Sequence, residues 1–284
     1  MAEAATTGSG IALLDLITGA WKIFKENFLT ILIITLIVQI PLSLAVQGID
    51  RINFLSGQQS FVNQQSNLIR HNKSSEVDIP GYVRATVELG GVAVAIHFFG
   101  SLGGALSFMA IVLVVKAARE DRKVNYMEAL KKALPRWPAA LITLLMIEIL
   151  LSILFALFIV PGIYFYVFWT FAIQMVIIYG KWGWSAVASS TELVKGRWWR
   201  VFGFSLVLGL MAAAAGGLIG AFNFKQGVYI SDTAFSVIAS IVAAYFIVAY
   251  SLFFFDMEAT RPAGQAPPQI EAAGEEGQVD DQEK

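Results

Sequence analysis

The chain is expected to be an all-α, polytopic membrane protein, and three observations predict it. First, Pro138 to Gly180 is an unbroken apolar run whose only charge is Glu148. As one helix rising about 1.5 Å per residue it would measure roughly 64 Å, about twice the hydrocarbon thickness of a bilayer, so it must double back. Second, 57% of the residues are hydrophobic and 14% charged, with a mean hydropathy of +0.66, whereas soluble domains carry about 25% charge. Third, the apolar segments lack the strict alternation of barrel strands, and a backbone in lipid must satisfy its own hydrogen bonds, which leaves helices.

Stretches long enough to cross are bounded by charge or turn residues. They predict six spans at Phe28–Val46, Gly90–Val115, Ala139–Val160, Ile163–Tyr179, Val201–Phe222 and Thr233–Phe255, packed as a six-helix transmembrane bundle. The corner between the third and fourth is expected at Pro161-Gly162, because proline donates no backbone N–H and glycine tolerates a sharp reversal. Residues 1–258 read as one membrane domain. Residues 259–284, rich in Ala, Pro, Gly, Glu and Asp, read as an acidic cytoplasmic tail without fixed structure. No Lys or Arg occurs in the first ten residues and the next stretch is amphipathic, so a cleaved signal peptide is not expected.

Charge sets the expected orientation. With six spans and both ends on one face, fifteen of the twenty Lys and Arg residues fall on that face, including seven between Lys116 and Arg136. The opposite face holds Arg51, Arg70, Lys73, Arg84 and Lys225. Basic loops stay inside, so both termini are expected in the cytoplasm and the loop Gln47–Glu88 outside.

The stretches before the odd-numbered spans share a pattern and suggest three hairpin units, at about residues 10–115, 124–180 and 184–256. Leu14, Ile17, Trp21, Phe24 and Phe28 recur at helical spacing beside Lys22 and Lys25. Tyr126, Leu130, Leu134 and Trp137 do so before the third span, with Asn125 and Glu128 expected as an N-terminal capping pair. Trp184, Val187, Leu193 and Val194 do so before the fifth. An amide or cation followed by an aromatic ring then opens each crossing: Asn27-Phe28, Arg136-Trp137 and Arg197-Trp198. Such helices are expected to lie against the cytoplasmic headgroups. Lys22, Lys25, Arg136, Trp137, Arg197, Trp198, Trp199 and Arg200 then form an interfacial collar. Two readings fit it: ordinary anchors, or a basic ring that selects anionic lipid.

The stretch Val160-Pro161-Gly162-Ile163-Tyr164, the span after it, Trp184-Ser185-Ala186 and Thr191-Glu192-Leu193-Val194-Lys195-Gly196-Arg197-Trp198-Trp199-Arg200 resemble the membrane domain attached to some bacterial glycerophosphodiester phosphodiesterases. They also resemble the YciC-like inner-membrane proteins, over about Leu13 to Phe255. The resemblance implies a six-span layout and a bacterial inner-membrane location. It transfers no catalytic residue, since phosphodiesterase chemistry in that family belongs to a separate soluble barrel, for which the residues after Asp256 leave no room.

Charges inside a span are costly and point to partners or roles. Glu148 lies near mid-depth of its span, with Ser152 and Ala156 continuing its face as a small-residue stripe expected against protein. Gln39 is expected at similar depth and Gln174 somewhat closer to the cytoplasm, and the three are candidates for one buried hydrogen-bonded cluster. Three readings fit Glu148: interhelical glue, protonated and bonded to Gln39 or a carbonyl; a proton- or cation-linked transport step; or lipid exposure on a helix whose face is misdrawn. The pairs Gly100/Gly104 and Gly216/Gly220, with Ser236, Ser240 and Ala244, predict close helix contacts. His97 and His71 make no metal set, and Asp256 reads as a solvated boundary residue.

There is no cysteine, and net charge is −1, which gives no field toward nucleic acid. Phosphate-loop, zinc-helix and nucleophile-elbow motifs are missing from the sequence. The expected function is therefore non-catalytic and cofactor-free: an inner-membrane protein binding lipid or a partner protein, or a second copy of itself, in envelope or lipid homeostasis. The alternative is a small transporter or channel using Glu148.

Overall fold

The structure, a computed structural model, describes residues 12–44, 103–226 and 232–261. The loop Gln47–Glu88, the first half of the second span, His71, His97, Gly100 and the tail from residue 262 lie outside them. All regular structure among the described residues is helical. Helix α1 is Leu13–Glu26, α2 Phe28–Leu44 and α3 residues 103–119. They are followed by α4 Tyr126–Ala133, α5 Trp137–Leu157, α6 Ile159–Trp169, α7 Ala172–Tyr179, α8 Gly183–Val194, α9 Trp198–Gln226 and α10 Asp232–Ala259.

Four stretches are long and apolar enough to cross a membrane: Tyr126–Leu157, Ile159–Tyr179, Trp198–Leu218 and Val237–Ala259. A fifth arises if the bent pair α1–α2 is one span, with 78° between its halves. Many apolar side chains face outward, among them Leu210 and Leu218, as expected where the solvent is lipid. The chain is thus a multi-pass membrane protein by helix length and composition.

Helix α3 is the axis of the core, with Met109 to Val112, Val114 and Val115 buried almost completely. Around it gather Leu16, Ala20 and Phe24 of α1, Phe171, Met175 and Val176 near and in α7, Phe204 and Leu208 of α9, and Val248, Phe253 and Phe254 of α10.

Helices α5 and α6–α7 form an antiparallel hairpin. Arg136, just before α5, bonds the carbonyl of Ile177 near the end of α7. Ile147 packs with Trp169 and Ala172, and Phe155 faces Gly162. These pairings centre on Phe158, the one residue between the helices, whose backbone is extended at φ −153° and ψ 125°. The corner therefore falls three residues before Pro161-Gly162. Pro161 sits in the first turn of α6, where a helix needs no N–H from it. Gly162 is required by packing: a Cβ there would lie 2.6 Å from the Phe155 ring.

The expected fourth span is broken at Thr170-Phe171, and α8 explains how the break is tolerated. The Ser190 hydroxyl donates to the Phe168 carbonyl at 2.7 Å and accepts from the Phe171 N–H at 3.2 Å. One buried side chain thus satisfies both a carbonyl and an amide that a helix break would strand. At the other end of α8, the buried Thr143 hydroxyl accepts from the Gly183 N–H at 2.8 Å and donates to Ala139.

Several local expectations are corrected. Asn125 makes no side-chain cap on α4, and Glu128 instead pairs with Lys132 at 2.7 Å and Arg122 at 3.5 Å. Ser152 and Ala156 are exposed, so the stripe below Glu148 faces outward. Gly104 and Gly216 have open space where a Cβ would stand, and the close contact is made by Gly103 against Leu42 and Val38.

Candidate functional site

The collar residues divide by what they touch. Gly196, at φ +80°, turns the chain out of α8 in the left-handed conformation glycine adopts most readily, and this places Arg197 between three helix ends. Its guanidinium donates to the Leu193 carbonyl at 2.8 Å, the Met257 carbonyl at 2.8 Å, and the carbonyl and hydroxyl of Thr260 at 3.1 Å. The last carbonyls of a helix have no intrahelical donor and carry the negative end of its dipole, so one forked cation closes α8 and α10 together. Burial, then the nearby Arg200 and Arg261, pull this guanidinium below its usual range, yet arginine remains charged.

Around this clamp lies a network that local sequence did not disclose. Arg200 pairs with Asp256 at 2.6 Å, and the Asp256 side chain is 3% exposed. The expectation of a solvated boundary carboxylate is thereby corrected, because its partner lies 56 positions away on α9. The Tyr179 hydroxyl donates to Glu258, which also pairs with Arg261 at 2.9 Å. The Arg119 guanidinium lies 4.9 Å from the centre of the Phe255 ring, and burial lowers its pKa, opposed by Asp256 and Glu258.

Arg136 plays the same part at α7, whose Ile177 carbonyl it bonds. Asn27 caps α1 from its backbone and side chain together, both donating to the Ile23 carbonyl at 3.0 Å. The three polar residues that precede an aromatic are thus all C-terminal caps. Trp198 is likewise turned onto protein: it stacks on Phe202 at 5.0 Å and Tyr164 at 5.8 Å, and its Nε1 donates to the Tyr164 carbonyl at 3.2 Å. Trp137 is half-buried.

The rest of the collar faces outward. Trp199 is 77% exposed, with Trp184, Trp182 and Trp21 at 64%, 56% and 50%. Lys25 lies 5.6 Å from the Trp21 ring, and Lys22 touches only Glu26 at 4.0 Å across exposed surface, a contact worth little. On α1 the buried stripe is Leu16, Ala20 and Phe24, which leaves Leu14 and Trp21 exposed as a second apolar face near the lysines, while the exposed Phe28 opens α2. The stripe expected from spacing alone mixed these two faces.

The intramembrane polar residues lie apart in the hairpin. Pairing about Phe158 sets Glu148 opposite Phe168 and Gln174 opposite Ile142, some six residues or roughly 9 Å apart along the axis. Gln174 is 1% exposed, and its side-chain oxygen has no hydrogen-bond partner; Glu148 and Gln39 are half-buried. An open groove of about 700 Å³ is lined by Phe155 to Pro161, and Glu148 is not among its walls. Among the described residues no group of three or more His, Asp or Glu is placed to hold a metal.

Comparison with protein-family models, with characterised proteins and with solved structures finds no match to this chain.

Proposed function

We propose that the chain is a non-catalytic, multi-pass protein of the bacterial inner membrane, with both termini cytoplasmic, whose six apolar segments form one bundle that binds anionic lipid at its cytoplasmic rim. The observation that carries this reading is the exposure of Trp21, Trp182, Trp184 and Trp199, with Lys25 over the Trp21 ring and Lys181 preceding Trp182 in the chain. An indole at the headgroup level is apolar on its body and polar at its N–H, and a neighbouring lysine brings a mobile cation to a phosphate. Arg136, Arg197 and Arg200 hold the rim in shape, and the lysines are left to meet lipid.

The test is mass spectrometry of lipids retained after gentle detergent extraction. The expected result is enrichment of anionic phospholipid over the bulk membrane, lost when Lys22, Lys25 and Trp199 are replaced by alanine together. Retained lipid of bulk composition in both proteins would sink the proposal. Proton or cation flux in proteoliposomes that disappears in Glu148→Gln would favour the transporter instead.

A further inference from the structure

Among the described residues, the α5–α6 corner presents a continuous exposed surface without a polar side chain. From Ile153 to Ile163 no side chain is polar, and Leu157, Phe158, Ile159 and Val160 are 65%, 69%, 69% and 78% exposed. A loop that emerged into water on the far side of a bilayer would gain nothing from this composition. Where the corner lies can be measured against α9 and α10.

Tyr179 reaches Glu258, Phe171 packs on Phe253 and Phe254, and Tyr166 lies beside Tyr250. Thirteen residues of hairpin therefore advance only eight along α10, so the hairpin runs oblique to α10. The second measure is the Tyr164 carbonyl, held at 3.2 Å by the indole of Trp198, the first residue of α9. Phe158 is six residues farther on, roughly 9 Å of helix, while the apolar stretch Trp198–Leu218 is roughly 31 Å long. Adding the reach of the indole, the corner rises no more than about halfway along α9.

Charge decides which helices follow the membrane normal. If the hairpin itself stood along the normal, Trp198 would lie far above its base and would carry Arg197, Arg200 and Asp256 into the hydrocarbon. That placement costs at least ~2.5 kcal/mol for each unshielded charge. Setting α9 and α10 along the normal instead puts Arg197, Arg200, Tyr179 and Arg136 at one interface, and the corner then falls near mid-bilayer.

We infer that the α5–α6 corner is seated in the hydrocarbon interior among lipid acyl chains and does not emerge on the far side. This rests on the membrane reading above and revises the two full crossings expected for Ala139–Val160 and Ile163–Tyr179. The sidedness of the termini is unchanged, because a re-entrant hairpin returns to the face it left. At the break the Phe158 N–H still donates to Leu154 at 2.8 Å, its carbonyl accepts from Gly162 at 3.3 Å, and Pro161 has no N–H to strand. The extended Phe158 is thus a break of one residue rather than a loop.

The chain has no cysteine, so single thiols can be placed without background. Val160→Cys, Ile159→Cys, Lys181→Cys and Lys225→Cys are made in the full chain, reconstituted in sealed vesicles and treated with a membrane-impermeant maleimide from each side. Positions 181 and 225 should label from opposite faces, which tests the membrane reading by itself. Positions 159 and 160 should label from neither face until detergent is added. A fluorophore at 160 should be quenched more by phosphatidylcholine brominated near the chain terminus than near the headgroup. Labelling of 159 or 160 from the face that labels 225 would establish a full crossing, and labelling from the face of 181 would place the corner in water. Either result overturns the inference.

Discussion

Replacing Arg197 by alanine removes four hydrogen bonds that join the C-terminal ends of α8 and α10. Three accept at backbone carbonyls, and charge-assisted bonds contribute about 1.5–3 kcal/mol each when buried. Arg197 is only half-buried, so water can replace part of what is lost; the low end of that range, discounted by about a third, gives roughly 3 kcal/mol. At about 2–4 °C per kcal/mol for a chain of this size, thermal unfolding in detergent should fall by roughly 6–12 °C. Arg197→Lys should be intermediate, since one ammonium keeps the charge near a helix end but cannot fork across two helices. Amide exchange should rise in the last turns of α8 and α10 and stay unchanged in α5. An Arg197→Ala protein within about 0.5 kcal/mol of the parent, a surface-sized effect, would refute the clamp.

Three further substitutions probe separate steps. Ser190→Ala strands the Phe168 carbonyl and Phe171 amide at the α6–α7 break, and should cost about 1–3 kcal/mol in a denaturant titration; no change would mean the break is satisfied otherwise. Gly162→Ala drives a methyl into the Phe155 ring and should cost about 1–3 kcal/mol, with most of the loss recovered when Phe155→Ala is added, so additive costs would disprove the contact. Trp199→Ala should leave unfolding in detergent within about 0.5 kcal/mol of the parent while lowering retained anionic lipid. A large loss of stability there would show that the indole is structural.

Helical class was legible because an apolar run with one charge has few physical solutions in lipid. The spans drawn from it meet α2, α5, α9 and α10 within a few residues at their described ends. The corner was misplaced for a reason of chemistry. Proline and glycine mark reversals, but proline also fits the first turn of a helix, and here Phe158 turns while Pro161 lies in the first turn of the next element. The α6–α7 break was hidden because Phe168 to Ala172 contains neither residue; the donor and acceptor that tolerate it come from Ser190 on another helix. Asp256 was misread for the same cause, its partner being remote.

The recurrence of Asn27-Phe28, Arg136-Trp137 and Arg197-Trp198 could be seen in sequence, but its purpose could not. A helix that stops at a headgroup boundary exposes its last carbonyls where water is scarce, and an unmet carbonyl is most costly there. Asn27 reaches only its own helix, four residues back. Arg136 reaches forward to a helix that ends 43 residues later, and Arg197 spans its own helix and α10 at once. Side-chain reach therefore scales with the separation to be bridged: an amide suffices within one helix, while a long forked cation is needed between helices. An arginine committed in this way has few donors left for a phosphate. On the lipid-binding function proposed above, the charge offered to a phosphate then comes from residues the fold does not use, and among the collar residues these are Lys22 and Lys25, beside the exposed ring of Trp21.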